Sequence, residues 1–252
     1  MLPAERQRAI VQLVNTRGSV RVKELSQIFE VTEETVRRDL DSLEMDGKLR
    51  RSHGGAVRIY EEQSEIPYLE REIAHVAEKQ AIAREAVRHI FPGDRIILDA
   101  STTAWHLAAA LPDIQLTVLT NSLKVAFELS QRDKIEVIST GGILRTSSLS
   151  YVGPMAEEAL DQFHVGKAFL SCKGLHSHYG ISESNALQAL VKRKMIEIAE
   201  RVYILADHSK IQVRDFTSIA SLDEVDVLIT DLQVPEEQIE DIRKFGVEVF
   251  QV

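Results

Sequence analysis

Five short segments of the chain gather the residue types that hold an anion. Asp99-Ala100-Ser101-Thr102-Thr103 sets a carboxylate and three hydroxyls ahead of a helical stretch, where hydroxyls and free backbone N–H groups make a ready anion site. Thr120-Asn121-Ser122 adds hydroxyls and an amide, and Ser139-Thr140-Gly141-Gly142 is followed closely by Arg145. Cys172-Lys173-Gly174 and Asp207-His208-Ser209-Lys210 each bring a lysine. Small hydroxyl, amide and glycine loops with Arg145, Lys173 and Lys210 nearby suit a phosphorylated polyol. Singly, each has a plainer reading: Ser-Thr-Thr before a helix is a cap, and Gly141-Gly142 is a turn. Together, five such loops favour a ligand.

Each segment follows an apolar run. Residues 95–98, 116–119, 135–138, 168–171, 202–205 and 227–229 read as buried strands, with helical stretches over 103–111, 123–131, 186–199 and 236–244 between them. That alternation predicts an α/β body with a mostly parallel sheet. In open sheets of this kind a ligand sits off the carboxyl ends of the strands, which is where the five segments lie.

The first 58 residues differ in texture. Residues 4–16 place Ile10, Leu13 and Val14 on one face of a helix, and 22–29 place Val22, Leu25, Ile28 and Phe29 inward. Thr32 then caps a third helix, whose buried stripe is Val36, Leu40 and Leu43. At about 100° per residue this stripe puts Glu34, Arg38 and Met45 on the opposite face, with Thr35 and Arg37 on its flanks. The pairs Glu33–Arg37, Glu34–Arg38 and Arg37–Asp41 also fit a merely solvated helix. After Gly47, Lys48-Leu49-Arg50-Arg51-Ser52-His53-Gly54-Gly55-Ala56-Val57 reads as two short strands around a glycine turn, with its cations together. Three helices and a basic hairpin are the parts of a winged helix-turn-helix, in which one helix reads the major groove of double-stranded DNA and the wing grips phosphates.

Charge follows the same division. Residues 1–58 hold 11 Lys/Arg against 9 Asp/Glu, a net of +2, and the remaining residues hold 19 against 30, a net of −11. The expected domains are 1–58 as a DNA-binding head, 59–72 as linker and start of a connecting helix, and 73–252 as a ligand-binding body, with helical spacing from Pro67 to about His89. No apolar run approaches the roughly 18 to 20 residues that span a bilayer, and the first residues lack the basic and apolar segments of a signal peptide. A single cysteine, Cys172, forms no internal disulfide, so a reducing cytoplasm is the simplest location. His176 and His178 form a His-x-His pair with no third ligand at useful spacing, so no metal site is expected, and Cys172 has no context for a catalytic thiolate. His106, after Trp105 in the helix behind the Ser-Thr-Thr loop, fits either ligand contact or packing.

Thr35-Val36-Arg37-Arg38-Asp39-Leu40, followed by Leu43-Glu44, Gly47, Leu49, Arg51 and His53-Gly54-Gly55-Ala56, resembles the N-terminal signature of the DeoR family of bacterial transcriptional regulators. The resemblance implies that Thr35, Arg37 and Arg38 enter the groove, with Thr32 at the helix start, and that Arg51, His53, Gly54 and Gly55 form the wing. It extends over almost the whole chain, and implies a body like the ribose-phosphate isomerase and CoA-transferase fold, reused as an effector sensor. The family's phosphate loop falls on Asp99, Ser101, Thr102 and Thr103, its double glycine on Gly141-Gly142, and its Asp-x-Ser-Lys pattern on Asp207, Ser209 and Lys210. The expected effector set is completed by Asn121, Ser122, Arg145, Lys173, Gly174 and Asn185.

Two departures narrow the resemblance. Gln188 stands where many members carry Glu ahead of Lys192-Arg193, and Lys173 stands before the glycine where they have an apolar or small residue. With Glu183-Ser184-Asn185, these features resemble members that govern deoxyhexose catabolism. The implied protein is a repressor without cofactor, a homodimer or tetramer on operator DNA, released by a sugar phosphate: rhamnulose 1-phosphate first, fuculose 1-phosphate second. An activator with the same parts is equally compatible. The rival reading is a sugar-phosphate isomerase with an N-terminal appendage, using Asp99, Asp207, Glu183 and Lys210 for acid–base work; Gln188 in place of a carboxylate and the complete head count against it.

Overall fold

A computed structural model of the chain describes residues 3–17, 19–46, 48–52, 54–57 and 66–252, which fall into two compact units, one within residues 1–62 and the other within 63–252. His53 and the segment 58–65, which holds much of the expected linker, lie outside the described residues.

In the first unit, α1 (Pro3–Arg17), β1 (Ser19–Arg21), α2 (Val22–Phe29) and α3 (Glu33–Met45) precede a hairpin of β2 (Arg50–Ser52) and β3 (Gly55–Val57). Helix α2 ends at Glu30, whose left-handed backbone (φ 53°) turns the chain sharply, while Ser26 Oγ donates to the Val31 carbonyl at 2.6 Å. Thr32 caps α3 as expected, its hydroxyl accepting the Thr35 N–H at 3.2 Å. Ile10, Val14, Leu25, Val36, Leu40, Leu43 and Leu49 close the core. One polar residue shares the buried face of α3: Asp39 accepts Arg6 Nε at 2.6 Å and Gln7 Nε2 at 3.1 Å, tying α3 to α1 inside the core. The hairpin is a three-stranded sheet, because β1, which the sequence reading does not foresee, pairs with β3 in the order β1-β3-β2. Gly55 makes that pairing possible: a Cβ there would stand 2.0 Å from the Val20 carbonyl oxygen.

The second unit begins with α4 (Tyr68–Glu72) and α5 (Val76–Val87), then β4 (Arg95–Leu98), α6 (Thr102–Ala110), β5 (Leu116–Thr120), α7 (Leu123–Leu129) and β6 (Ile135–Ser139). A hairpin of β7 (Ile143–Arg145) and β8 (Ser150–Val152) leads to α8 (Pro154–Leu160) and β9 (Val165–Leu170). Then come β10 (Gly174–His176), β11 (Gly180–Glu183), α9 (Ala186–Glu197), β12 (Ala199–Leu205), β13 (Thr217–Ala220), β14 (Val227–Thr230), α10 (Glu236–Arg243) and β15 (Glu248–Gln251). Seven strands form one parallel sheet in the order β15-β14-β12-β9-β4-β5-β6. Alternate residues feed two cores: Ile96, Leu98, Phe169, Tyr203 and Leu205 pack with α5, α6 and α7, whereas Ile97, Ala168, Leu170, Val202 and Ile204 pack with α8, α9 and α10. Burial on both faces explains why these strands read as continuous apolar runs.

The sequence reading needs correcting in four places, the first being Ile28, expected inward but exposed on α2. The helical stretch expected from Pro67 to about His89 is broken at Ile73–His75, where His75 takes a left-handed backbone (φ 50°) and starts α5. Residue 171 lies beyond the end of β9 rather than in the strand. The short antiparallel pieces β7–β8 and β10-β11-β13, and the sheet-edge strand β15, were not anticipated, since strands of three or four residues with polar members hold at most two adjacent apolar residues.

The buried pair in the head gives a stability test. Asp39→Ala leaves the Arg6 guanidinium uncompensated in a core and is expected to destabilise the head by about 3–5 kcal/mol, whereas Arg6→Met with Asp39→Leu together is expected to be near neutral. Urea unfolding followed by circular dichroism measures both; equal losses in the two variants would contradict the assignment.

Candidate functional site

The order of the parallel sheet reverses direction between β4 and β9: after β4 the chain adds β5 and β6 on one side, then returns to place β9 and β12 on the other. Such a switch point opens a crevice at the carboxyl ends of the strands. Here that crevice is a cavity of ≈ 330 Å³, lined among others by Ser101 and Thr102 after β4, Ser171 and Lys173 after β9, and Asp207, Ser209 and Lys210 after β12.

Asp99, at the end of β4 and fully buried, stitches the crevice shut at its base. Its Oδ1 accepts the Ser101 N–H at 3.1 Å and its Oδ2 accepts the Ser171 N–H, from across the switch point, at 3.0 Å. Lys192 Nζ from α9 lies 3.1 Å from the same Asp99 Oδ2, donates to Glu183 Oε2 at 2.7 Å, and donates to the Ser171 carbonyl at 2.6 Å. Burial works against the charge on Lys192, yet Glu183 and Asp99 overcome it and raise its pKa; burial likewise pushes the Glu183 carboxyl up, and Lys192 reverses the shift to leave it below the usual range. Glu183 and Lys192 therefore form an ionised pair at neutral pH.

A second cationic group faces the cavity. Lys210 Nζ is 3.1 Å from Ser171 Oγ and 3.3 Å from Asp207 Oδ2. Burial would raise the Asp207 carboxyl, but Lys210, the Ser209 hydroxyl and His75 together hold it down to about 2. Lys79, buried on α5, donates to the carbonyls of Arg71 and Ala74 around the corner between α4 and α5. Burial first, and then the charge of Lys210, bring its pKa down to about 8. Ser101 caps α6 by accepting the Ala104 N–H at 3.0 Å, and first-turn N–H groups of a helix lack intrahelical partners. Lysine ammoniums, hydroxyls and a helix start thus converge on one cavity, a setting for an anionic, hydroxylated ligand.

The other expected ligand residues are placed elsewhere or serve the frame. Asn121 donates to the Tyr151 carbonyl at 3.0 Å, Ser122 caps α7, and Asn185 caps α9. Gly141 and Gly142 form the turn before β7, and Arg145 ends that strand; none of these three lines the cavity. At Gly174 a Cβ would meet the Val213 carbonyl oxygen at 2.4 Å, so close packing demands glycine there. Thr103 Oγ1 and Asn121 Oδ1 are buried polar atoms without a hydrogen-bond partner. Gln188 lies in a buried network behind the site, donating to Ser148 Oγ at 2.8 Å and Ser150 Oγ at 2.5 Å. Cys172 is buried, which pushes its thiol up to about 12 and fits a packing role. His75, Lys79 and Lys192 were not among the expected site residues. A signal for both lysines was present: Lys79 shares its helical stripe with Ile82, Ala83 and Ala86, and Lys192 with Ala189, Met195 and Ile196, so each cation sits where the period calls for an apolar residue.

In the head, Arg38 is the outstanding group of α3, 80% exposed and 3.4 Å from Glu34. Arg37 is held by Glu33 at 2.8 Å. Arg51 does not reach outward: its Nη1 donates to Asp41 Oδ1 at 2.5 Å and to the Arg37 carbonyl at 3.1 Å, while its N–H donates to Glu44 Oε1 at 2.7 Å. These bonds fasten β2 to α3. Gly54 turns the hairpin with φ 82°, and Thr35 and Thr32 share a hydroxyl contact of 2.9 Å at the start of α3.

Removing the ammonium that joins the two buried carboxylates tests the frame of the cavity. Lys192→Met is expected to cost about 3–5 kcal/mol of stability. Without Lys192, the carboxyl of Glu183 takes up a proton more readily in the folded state than in the unfolded chain. The deficit therefore grows as pH rises above about 4 and shrinks below it. Thermal unfolding across that range reads the sign; a deficit independent of pH would mean that only packing was lost.

Two family models match the chain: the DeoR-like helix-turn-helix domain over residues 6–62, and the DeoR C terminal sensor domain over residues 74–232. The HTH-type transcriptional regulator YulB of Bacillus subtilis (strain 168) is 59% identical over 231 residues, covering 92% of this chain and 90% of that protein. The L-fucose operon activator of Escherichia coli (strain K12) is 38% identical over 232 residues, covering 91% and 96%. Among solved structures, ribose 5-phosphate isomerase A of Methanocaldococcus jannaschii is similar with a TM-score of 0.40 and 17% identity over 53% of each chain. The acids and lysines of the body therefore belong to a sensor domain and not to an enzyme, and the chain is a member of the DeoR family of helix-turn-helix transcriptional regulators.

Proposed function

We propose that the protein represses an operon for the catabolism of a deoxyhexose such as L-rhamnose or L-fucose, and that a phosphorylated intermediate of that pathway occupies the cavity and releases it from its operator. L-Rhamnulose 1-phosphate is the leading effector and L-fuculose 1-phosphate the second. The observation that carries this reading is the meeting of Lys79, Lys210 and the start of α6 in one cavity with the Ser101, Thr102, Ser171 and Ser209 hydroxyls. A phosphate takes the ammoniums and the first-turn N–H groups, and sugar hydroxyls exchange bonds with the serines and threonine. The relative named for the L-fucose operon supports a deoxyhexose; it is named an activator, and the sign of regulation depends on where the operator lies. A homodimer or homotetramer on paired half-sites one or more helical turns apart completes the reading. The effector acts only through unequal affinity for the binding and non-binding states, so DNA must weaken effector binding by the same factor.

Fluorescence anisotropy on DNA from the protein's own upstream region, titrated with a panel of sugar phosphates, tests the whole. Specific binding released by a deoxyhexulose phosphate is expected, and Lys210→Ala is expected to abolish the release while operator binding persists. Release by an unrelated phosphate, or an intact response in the variant, would overturn the effector assignment.

On the DNA side, Arg38→Ala is expected to cost about 1–3 kcal/mol of specific affinity and to relax preference at one base position. Competition with mutated operators measures it, and unchanged specificity would return Arg38 to the solvated face of its helix.

A further inference from the structure

We propose that His75, Glu78 and His208 form a binding site for a divalent transition-metal ion of the zinc class, at the edge of the cavity. One ligand atom from each of the three lies within 4.8 Å of the others, and no other grouping of three His, Cys, Asp or Glu side chains comes so close among the described residues. Bonds near 2.0–2.2 Å set the ligand atoms of a tetrahedral zinc site about 3–4 Å apart, so a small closure of side chains completes the geometry. His75 is exposed and free to make it.

The three groups come from two places in the fold. His75 precedes α5 and Glu78 lies in its first turn, so the i, i+3 spacing puts both on one side of the helix start. His208 stands in the short turn after β12, and its ring meets that of His75 edge to face, with centroids 5.1 Å apart and an interplanar angle of 87°. The left-handed backbone of His75, unusual for a residue with a side chain, is what brings its ring to that position.

The surrounding groups already have the form of a metal site's outer sphere. His208 Nδ1 lies 3.1 Å from both carboxylate oxygens of Asp231, a buried residue that also accepts the His208 N–H at 2.7 Å. That contact fixes the ring and leaves Nε2 to bind, as in carboxylate–histidine–zinc arrangements. Glu78 Oε1 accepts Gln233 Nε2 at 2.9 Å, which steadies the carboxylate. Glu78, Asp207 and Asp231 supply negative charge nearby; the facing cations are engaged, Lys79 by two carbonyls and Lys210 by Asp207 and Ser171. By contrast His176 and His178 hold each other, the His178 N–H donating to His176 Nδ1 at 3.1 Å, and no third ligand joins them among the described residues. Three protein ligands leave one position open, and His75 also lines the cavity, so that position is available to water or to an oxygen of whatever the cavity holds.

The test uses tag-free full-length protein titrated with zinc chloride by calorimetry and with cobalt(II) by visible absorption. One equivalent of zinc and the ligand-field bands of four-coordinate cobalt are expected. His75→Ala and His208→Gln are each expected to abolish both signals, and His176→Ala to leave them unchanged. Asp231→Asn, a positioning change, is expected to weaken zinc binding by about 10- to 100-fold with an unaltered circular dichroism spectrum. Absence of saturable binding, survival of the signals in both His75→Ala and His208→Gln, or their loss in His176→Ala would overturn the proposal. Since His75 is exposed, its variant remains informative should the His208 variant fail to fold.

Discussion

One ammonium group holds the sensor unit's crevice in shape. Lys192 Nζ reaches from a helix on one face of the sheet to carboxylates at the end of β4 and in β11, and to a carbonyl at the end of β9. An ammonium offers three donors, and here two bond to the Ser171 carbonyl and the Glu183 carboxylate while the Asp99 carboxylate lies 3.1 Å away, so the buried ion is both hydrogen-bonded and paired. Asp99 in turn uses both carboxylate oxygens to fix the backbones of Ser101 and Ser171. The walls of the cavity are therefore positioned by a charge network, of which Glu183 and Lys192 also line it, and the hydroxyls and lysines of the lining are set at fixed points around it.

The head follows the same economy of charge. Asp39 lies within the apolar stripe of α3 and anchors it to α1 through Arg6. Asp41 and Glu44, one turn further on, fasten β2 through the side chain and the backbone of Arg51. Among Arg37, Arg38 and Arg51, the one held by the fewest bonds is Arg38. Arg37 and Arg51 are thus tied into the head, and Arg38 projects from it.

Much of this was legible in the sequence. The main apolar runs fell on strands because each is buried on both faces, and Thr32, Ser101, Ser122 and Asp207 stood at helix starts because hydroxyl and carboxylate caps are local chemistry. The membership of the cavity was less legible. All five polar segments follow strands, but only those after β4, β9 and β12 line it, since β5 and β6 lie beyond β4 on the far side of the switch point. Strand order depends on which runs find each other across the whole chain, and no local pattern writes it. His75 and Lys79 arrive at the cavity from a helix corner whose left-handed turn no glycine announces.

The sheet order has a kinetic consequence. β4, β5 and β6 are joined by short crossovers and can pair soon after each forms, but the central β4–β9 pair matches Ile97 with Ala168, 71 residues away. Closing so long a loop is entropically costly and slow, and it joins the β4-β5-β6 half of the sheet to the β9-β12-β14-β15 half. The carboxylate of Asp99 meets Ser171 and Lys192 only once that closure is made. Until then, the edge of β4 is an open template for pairing with a neighbouring chain, so the step that creates the cavity is also the step that covers that edge.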